Sequence, residues 1–181
     1  MSTPAAERSC AGCTLCCKLL GIAELAKPAA QWCAHCAVGE GCKIYETRPA
    51  ECRSFNCAWL LDASLGPEWA PKRCRFMIAR DQNRIVIHVD PAQPDAWRKP
   101  PFRETINNWG AALTPRGAQV LVVENGDVTM ILPGGEKRLG QVGDDQMILA
   151  VRRDRPQGPL FDAIVVAKDD PRALRAMKGE S

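Results

Sequence analysis

Ten cysteines dominate the chemistry available to this 181-residue chain, and all of them fall between Cys10 and Cys74. They begin as Cys10-x2-Cys13-x2-Cys16-Cys17 and continue as Cys33-x2-Cys36-x5-Cys42-x9-Cys52-x4-Cys57, with Cys74 standing apart. Thiolates are soft ligands, and four of them close a tetrahedron around zinc or anchor one iron–sulfur cluster. The spacing alone leaves the metal open. Cys13-x2-Cys16-x16-Cys33-x2-Cys36 reads as a zinc ribbon, and Cys10-x2-Cys13-x19-Cys33-x2-Cys36 reads as the same ribbon in another register. One ribbon leaves six of the ten cysteines unexplained. The closely repeated Cys10, Cys13, Cys16 run has the spacing used by iron–sulfur proteins, so the sequence slightly favours an iron–sulfur cluster over Zn. Eight ligands would suit two four-thiolate centres or one larger cluster. The candidate metal ligands are Cys10, Cys13, Cys16, Cys17, Cys33, Cys36, Cys42, Cys52 and Cys57.

Other side chains nearby carry weaker signals. His35 lies between Cys33 and Cys36, and imidazole suits zinc, but among so many thiolates it reads first as a solvated or outer residue. Arg48 and Arg53 are candidate hydrogen-bond donors to metal-bound sulfur; the competing reading is surface ion pairing with Glu46 or Glu51. Cys74, in Lys72-Arg73-Cys74-Arg75, reads as a core thiol. Its cationic neighbours would instead favour a reactive thiolate, a catalytic alternative for which no base or oxyanion partner is legible.

The cysteine pattern resembles that of a known family. Cys10-Ala11-Gly12-Cys13-Thr14-Leu15-Cys16-Cys17 is similar to the CxxCxxCC signature of bacterial proteins described as zinc- or iron-chelating or as iron–sulfur-cluster-containing. Their later signature is matched by Cys36, Gly41-Cys42-Lys43-Ile44-Tyr45, Arg48-Pro49, Cys52-Arg53 and Phe55, with Cys57 beyond. The resemblance covers roughly residues 10 to 60. It implies eight ligands, at Cys10, Cys13, Cys16, Cys17, Cys36, Cys42, Cys52 and Cys57, and leaves Cys33 as an extra thiol and Cys74 outside the pattern. A similar cluster accompanies some lysine N-methylases acting on flagellin, yet no further motif in this chain would carry a methyltransferase.

The elements that must position these thiols are short. A helix over Thr14–Leu20, extended back to Cys10 and stopped by Gly21, would gather the four leading cysteines on about a third of its circumference, with Leu15, Leu19 and Ile22 on the neighbouring arc. Gly39 and Gly41 make the Cys36–Cys42 stretch an irregular knuckle. Pro49 opens a helix with Cys52, Phe55 and Trp59 on one face. Cys57 would leave that face, so either a helix ends between Cys52 and Cys57 or the two have separate roles.

After Cys74 the hydrophobic period changes to two. Arg75–Arg80 and Ile85–Asp90 flank a hairpin loop, and alternation puts His88 on a polar face. Phe102, Ile106 and Trp109 mark one helix over Phe102–Leu113. Val120–Val123 and Val128–Leu132 are joined across Asn125-Gly126. Strands at Met147–Val151 and Ala163–Ala167 precede a terminal helix over Pro171–Met177, and Gly134-Gly135 reads as a turn. The expected fold is α+β: a cysteine-rich domain over 1–74 with short helices, packed with an antiparallel β-rich domain over 75–181. No P-loop, dinucleotide fingerprint, zincin motif or nucleophile elbow occurs in the second part, so whether the chain is an enzyme stays open.

Composition bounds the partners. With 46% hydrophobic and 25% charged residues the chain is neither disordered nor collagen-like, and its net charge of +3 marks no nucleic-acid footprint. No run approaches the roughly 18 apolar residues of a membrane span, and MSTPAAERSC lacks the features of an export signal. A cytoplasmic location is therefore expected, where thiols stay reduced and clustered cysteines point to metal before disulfides. The sequence reading is a metal-binding protein used for redox, metal handling or sensing. The alternative is a structural-zinc interaction module that binds protein or, less expectedly, nucleic acid.

Overall fold

The computed structural model describes residues 8–10, 12–81 and 83–178. Helices and antiparallel strands alternate, giving an α+β fold. No helix among the described residues is long and apolar enough to cross a membrane. The chain divides into two compact units, one of residues 1–80 with 87–99 and the other of 81–86 with 100–181. The change of hydrophobic period after Cys74 therefore precedes the division of the backbone, because the strand that follows Cys74 belongs with the cysteines.

In the first unit the elements are short. Helix α1 is Leu15–Leu19, strands β1 (Cys36–Ala37) and β2 (Gly41–Cys42) form a two-residue ladder, and helices α2 (Ala50–Ser54), α3 (Ala58–Leu61) and α4 (Pro71–Cys74) lead into strand β3 (Phe76–Arg80). The helix expected to reach back to Cys10 does not. Gly12 has a φ of +68°, a left-handed conformation that interrupts a right-handed helix, and the Cys13 N–H closes a turn on the Cys10 carbonyl at 2.8 Å. The helix expected after Pro49 divides into α2 and α3. Phe55 and Cys57 are both extended, so the alternative of a helix end between Cys52 and Cys57 is the one the backbone adopts.

Leu15 and Leu19, one turn apart on α1, are buried together with Cys57 and Met77. This apolar contact ties the cysteine-bearing helix to α3 and β3 and stabilises both through removal of apolar surface from water. Strand β4 (Arg84–Val89) returns antiparallel to β3 as the hairpin reading expected, with Ile87 and Val89 buried. His88 alternates with the buried Ile87 and Val89 as expected, but it is half-buried rather than solvated, and burial pushes its pKa down from 6.5 to about 4. A neutral native imidazole binds no proton in that interval while the unfolded one does. Its contribution is therefore complete above pH 6.5 and falls as pH drops toward 4, by about 3 kcal/mol. Urea melts at pH 7 and 4 should show this loss, and His88→Gln should remove most of it; an equal acid loss in both proteins would contradict the assignment.

The second unit is built on helix α5 (Phe102–Leu113) and strands β5 (Gln119–Glu124), β6 (Asp127–Leu132), β7 (Gly135–Gln141), β8 (Gln146–Arg153) and β9 (Leu160–Ala167), ending in helix α6 (Pro171–Lys178). Strands β5, β6 and β7 pair in succession, each antiparallel to the next, while β8 and β9 form a separate antiparallel pair. Asn125 and Gly126 both have positive φ, which makes the tight turn that pairs Glu124 with Asp127. Leu121, Val128, Met130, Leu132, Ile148 and Ala163 form its core. Strand β7 carries mostly exposed polar residues, GEKRLGQ, so no apolar alternation announced it. Its register against β6 shifts between Val128 and Thr129, a bulge that further hides the period.

Candidate metal centre

Eight thiols line one cavity in the first unit. Cys10, Cys13, Cys16, Cys17, Cys33, Cys42, Cys52 and Cys57 surround a volume of about 550 Å³, together with apolar residues that include Leu20, Ile22, Leu60 and Met77. They arrive on six local devices. Cys10 and Cys13 come from the Gly12 turn, Cys16 and Cys17 from α1, Cys42 from β2, Cys52 from α2, and Cys57 from the residue that caps α3. Cys33 is placed by its own backbone, whose N–H donates to the Cys17 carbonyl at 3.0 Å.

Three sequence candidates lie elsewhere. Cys36 sits opposite Cys42 in the β1–β2 ladder but is not on the cavity wall. Its thiol hydrogen-bonds with Cys17 and Thr14. His35 is half-buried and likewise off the wall. Cys74, the last residue of α4, is buried and donates to the Trp69 and Phe76 carbonyls at 3.4 and 3.1 Å. Burial pushes its pKa up to about 12, the opposite of an activated nucleophile. The cationic residues around it do not make it a thiolate.

The adjacent pair Cys16-Cys17 shares a hydrogen bond that sets their protonation. Cys17 donates to Cys16, lowering the Cys16 pKa to about 7, and is itself held protonated by Cys16 and by burial. Cys16 is thus the thiol of the pair that gives up its proton first. Among the described residues, no three His, Cys, Asp or Glu side chains already form a group able to hold one metal ion. The eight cysteines line a shared space without such a ready-made site.

Two arginines, Arg48 and Arg53, and two carboxylates, Glu40 and Glu51, line this space. Arg48 lies on the wall with its guanidinium 3.9 Å over the Tyr45 ring, and its Nε is buried with no hydrogen-bond partner among the described residues. A buried donor left unpaired costs about 1–3 kcal/mol, so an acceptor in the cavity would relieve it. The buried Lys27 reaches the end of α1, where Nζ donates to the Lys18 carbonyl at 3.1 Å and to the Leu20 carbonyl. This satisfies carbonyls that a five-residue helix leaves open. Burial lowers the Lys27 pKa while Cys33, Cys17 and Cys16 oppose the shift. The donor set therefore fits a thiolate-bound metal group: sulfur ligands, an apolar wall, and compensating positive charge.

Arg53 also lines the cavity, but it is more exposed, and Glu51 Oε2 accepts from the Ala23 N–H at 3.2 Å. Arg48 is thus the better placed of the two arginines. Arg48→Met is expected to keep the metal content of the protein while weakening retention against a competing chelator by on the order of 10- to 100-fold. Arg48→Lys should recover part of it. Equal retention in all three proteins would remove Arg48 from the site.

Sequence reasoning missed the charged supports. Asp90 is fully buried between Lys18 Nζ, at 2.5 Å, and the Arg75 guanidinium. Arg8 donates to the carbonyls of Trp59, Asp62, Ala63 and Leu65 and stacks on Trp59. The partners of Asp90 and Arg8 are remote in sequence, so no local pattern announces them. No protein-family model matches the chain, and neither a curated protein nor a solved structure matches it.

Proposed function

We propose that this chain is a cytoplasmic metalloprotein of the CxxCxxCC type whose thiols hold an iron–sulfur centre for electron transfer, metal handling or sensing. The observation that carries the reading is the single cavity of about 550 Å³ walled by eight of the ten cysteines. A lone zinc takes four sulfurs at roughly 2.3 Å and is enclosed by them. It would leave four thiols and most of this space without a role. A cluster with inorganic sulfide, or two four-thiolate centres, uses more of both.

When bound, such a centre supplies reversible one-electron chemistry, which zinc does not. The protein's own residues supply the rest. Cys16 offers the more acidic thiol of the adjacent pair, Arg48 offers a buried Nε donor to an acceptor in the cavity, and Lys27 adds positive charge beside Cys33 and Cys17. Leu20, Ile22, Leu60 and Met77 limit water on the wall, which raises the influence of each nearby charge.

The test is metal and acid-labile sulfide analysis, with a visible spectrum, on untagged protein purified without oxygen. Iron with sulfide and broad visible absorption supports the proposal. Zinc without sulfide or colour overturns the iron–sulfur assignment in favour of a structural site that serves an interaction module, and the absence of both metals overturns the metal reading altogether.

A further inference from the structure

Resting on the metal reading above, we infer that Cys33 is a ligand of the centre in this chain and that Cys36 is an outer thiol supporting Cys17. The resemblance would assign these roles the other way round, with Cys36 in the ligand set and Cys33 extra. The placement of the two side chains differs. Cys33 is 8% exposed and lies on the cavity wall, whereas Cys36 is more exposed and lies off it.

The backbone explains why this position is a fixed one. The Cys33 N–H donates to the Cys17 carbonyl at 3.0 Å, and the Cys36 N–H closes the next turn on the Cys33 carbonyl at 3.0 Å. Cys33 is therefore pinned directly to the helix that presents Cys16 and Cys17.

Cys36 has a different set of partners. Its thiol hydrogen-bonds with Cys17 and with the Thr14 hydroxyl, and the same buried hydroxyl accepts the Gly39 N–H at 3.1 Å. This pairing sets Cys36 beside a wall thiol without placing Cys36 on the wall itself. Donors to a ligating sulfur tune the centre without contacting the metal. The arrangement gives eight wall thiols and one supporting thiol.

Full-length Cys33→Ser and Cys36→Ser proteins, purified without oxygen beside the parent chain, test the exchange of roles. Cys33→Ser should lose at least half of the bound iron and sulfide per chain, while Cys36→Ser should keep both within error and change the reduction potential or the visible spectrum. Retained stoichiometry in Cys33→Ser, or its loss in Cys36→Ser, would overturn the assignment while leaving the parent centre intact. A parent protein with no metal would overturn the metal reading and this inference together.

Because a Cys33 variant can fail to fold, alkylation of the unaltered protein provides a second readout. Removing the metal with a chelator, without denaturant, should raise the Cys33 alkylation rate at least tenfold, and by a clearly larger factor than that of Cys36, which is already the more exposed thiol. A rate for Cys33 unchanged by metal removal, or a rise for Cys36 as large as that for Cys33, would count against the inference.

Discussion

Replacing Asp90 by Ala is expected to destabilise the protein by about 2–4 kcal/mol, among the largest losses available to a single charged side chain outside the thiols. The carboxylate is fully buried, and it accepts from Lys18 Nζ at 2.5 Å, from the Ala92 N–H at 3.0 Å and from the Arg75 guanidinium. Burial alone would raise its pKa. Lys18, the Ala92 N–H and Arg75 outweigh that cost and hold it below the usual carboxylate range. Its contribution is thus present above the unfolded pKa of about 3.9 and is lost as pH falls through the native value. Lys18 follows Cys17 directly, so loss of Asp90 also frees the end of α1 that carries the adjacent thiols. Asp90→Asn, which keeps the shape and part of the hydrogen bonding, should cost less than Asp90→Ala. Urea denaturation midpoints for the three proteins at pH 7 give the comparison; coincident midpoints would mean that the buried carboxylate holds nothing in place.

The contrast between Asp90 and the cysteines shows which features were legible before the structure. Cysteine spacing is local, so Cys10 through Cys57 could be recognised as one donor set, and eight of the nine candidates reach the same cavity. Strong periodicity gave the bounds of α5, and Asn125-Gly126 gave the β5–β6 turn. What remained hidden was non-local or aperiodic. Lys18 and Asp90 are 72 residues apart, β7 is polar throughout most of its length, and the exchange of positions between Cys33 and Cys36 depends on one backbone hydrogen bond. The helix across the first four cysteines failed for a local reason that was visible in principle. Gly12 stands between Cys10 and Cys13, and its left-handed backbone turns the chain where the helix was expected to continue.

Removing the metal should loosen residues 12–61 and spare the β-rich second unit. In this stretch α1 and α2 have five residues each, α3 has four, and the β1–β2 ladder has two per strand. Isolated helices below about 12–15 residues are marginal in water, and so small a set of elements cannot outweigh its conformational entropy without a core or a staple. Leu15, Leu19, Cys57 and Met77 supply only a small apolar cluster. A group bound by thiols from six separate segments would supply the staple, since its binding free energy becomes folding free energy for the chain it crosslinks. The Leu20, Cys33 and Lys43 amides, bonded to the carbonyls of Cys16, Cys17 and His35, report this directly. After chelation they should exchange at least ~100-fold faster, equivalent to about 2.7 kcal/mol of ligand-linked stability. Amides in β5 and β6, held by their own ladder and by the Leu121, Met130 and Ile148 core, should keep their protection. If the three reporter amides stay slow once iron and sulfide are gone, the thiols do not hold this segment together through a metal, and its stability must come from Asp90, Arg8 and the apolar cluster alone.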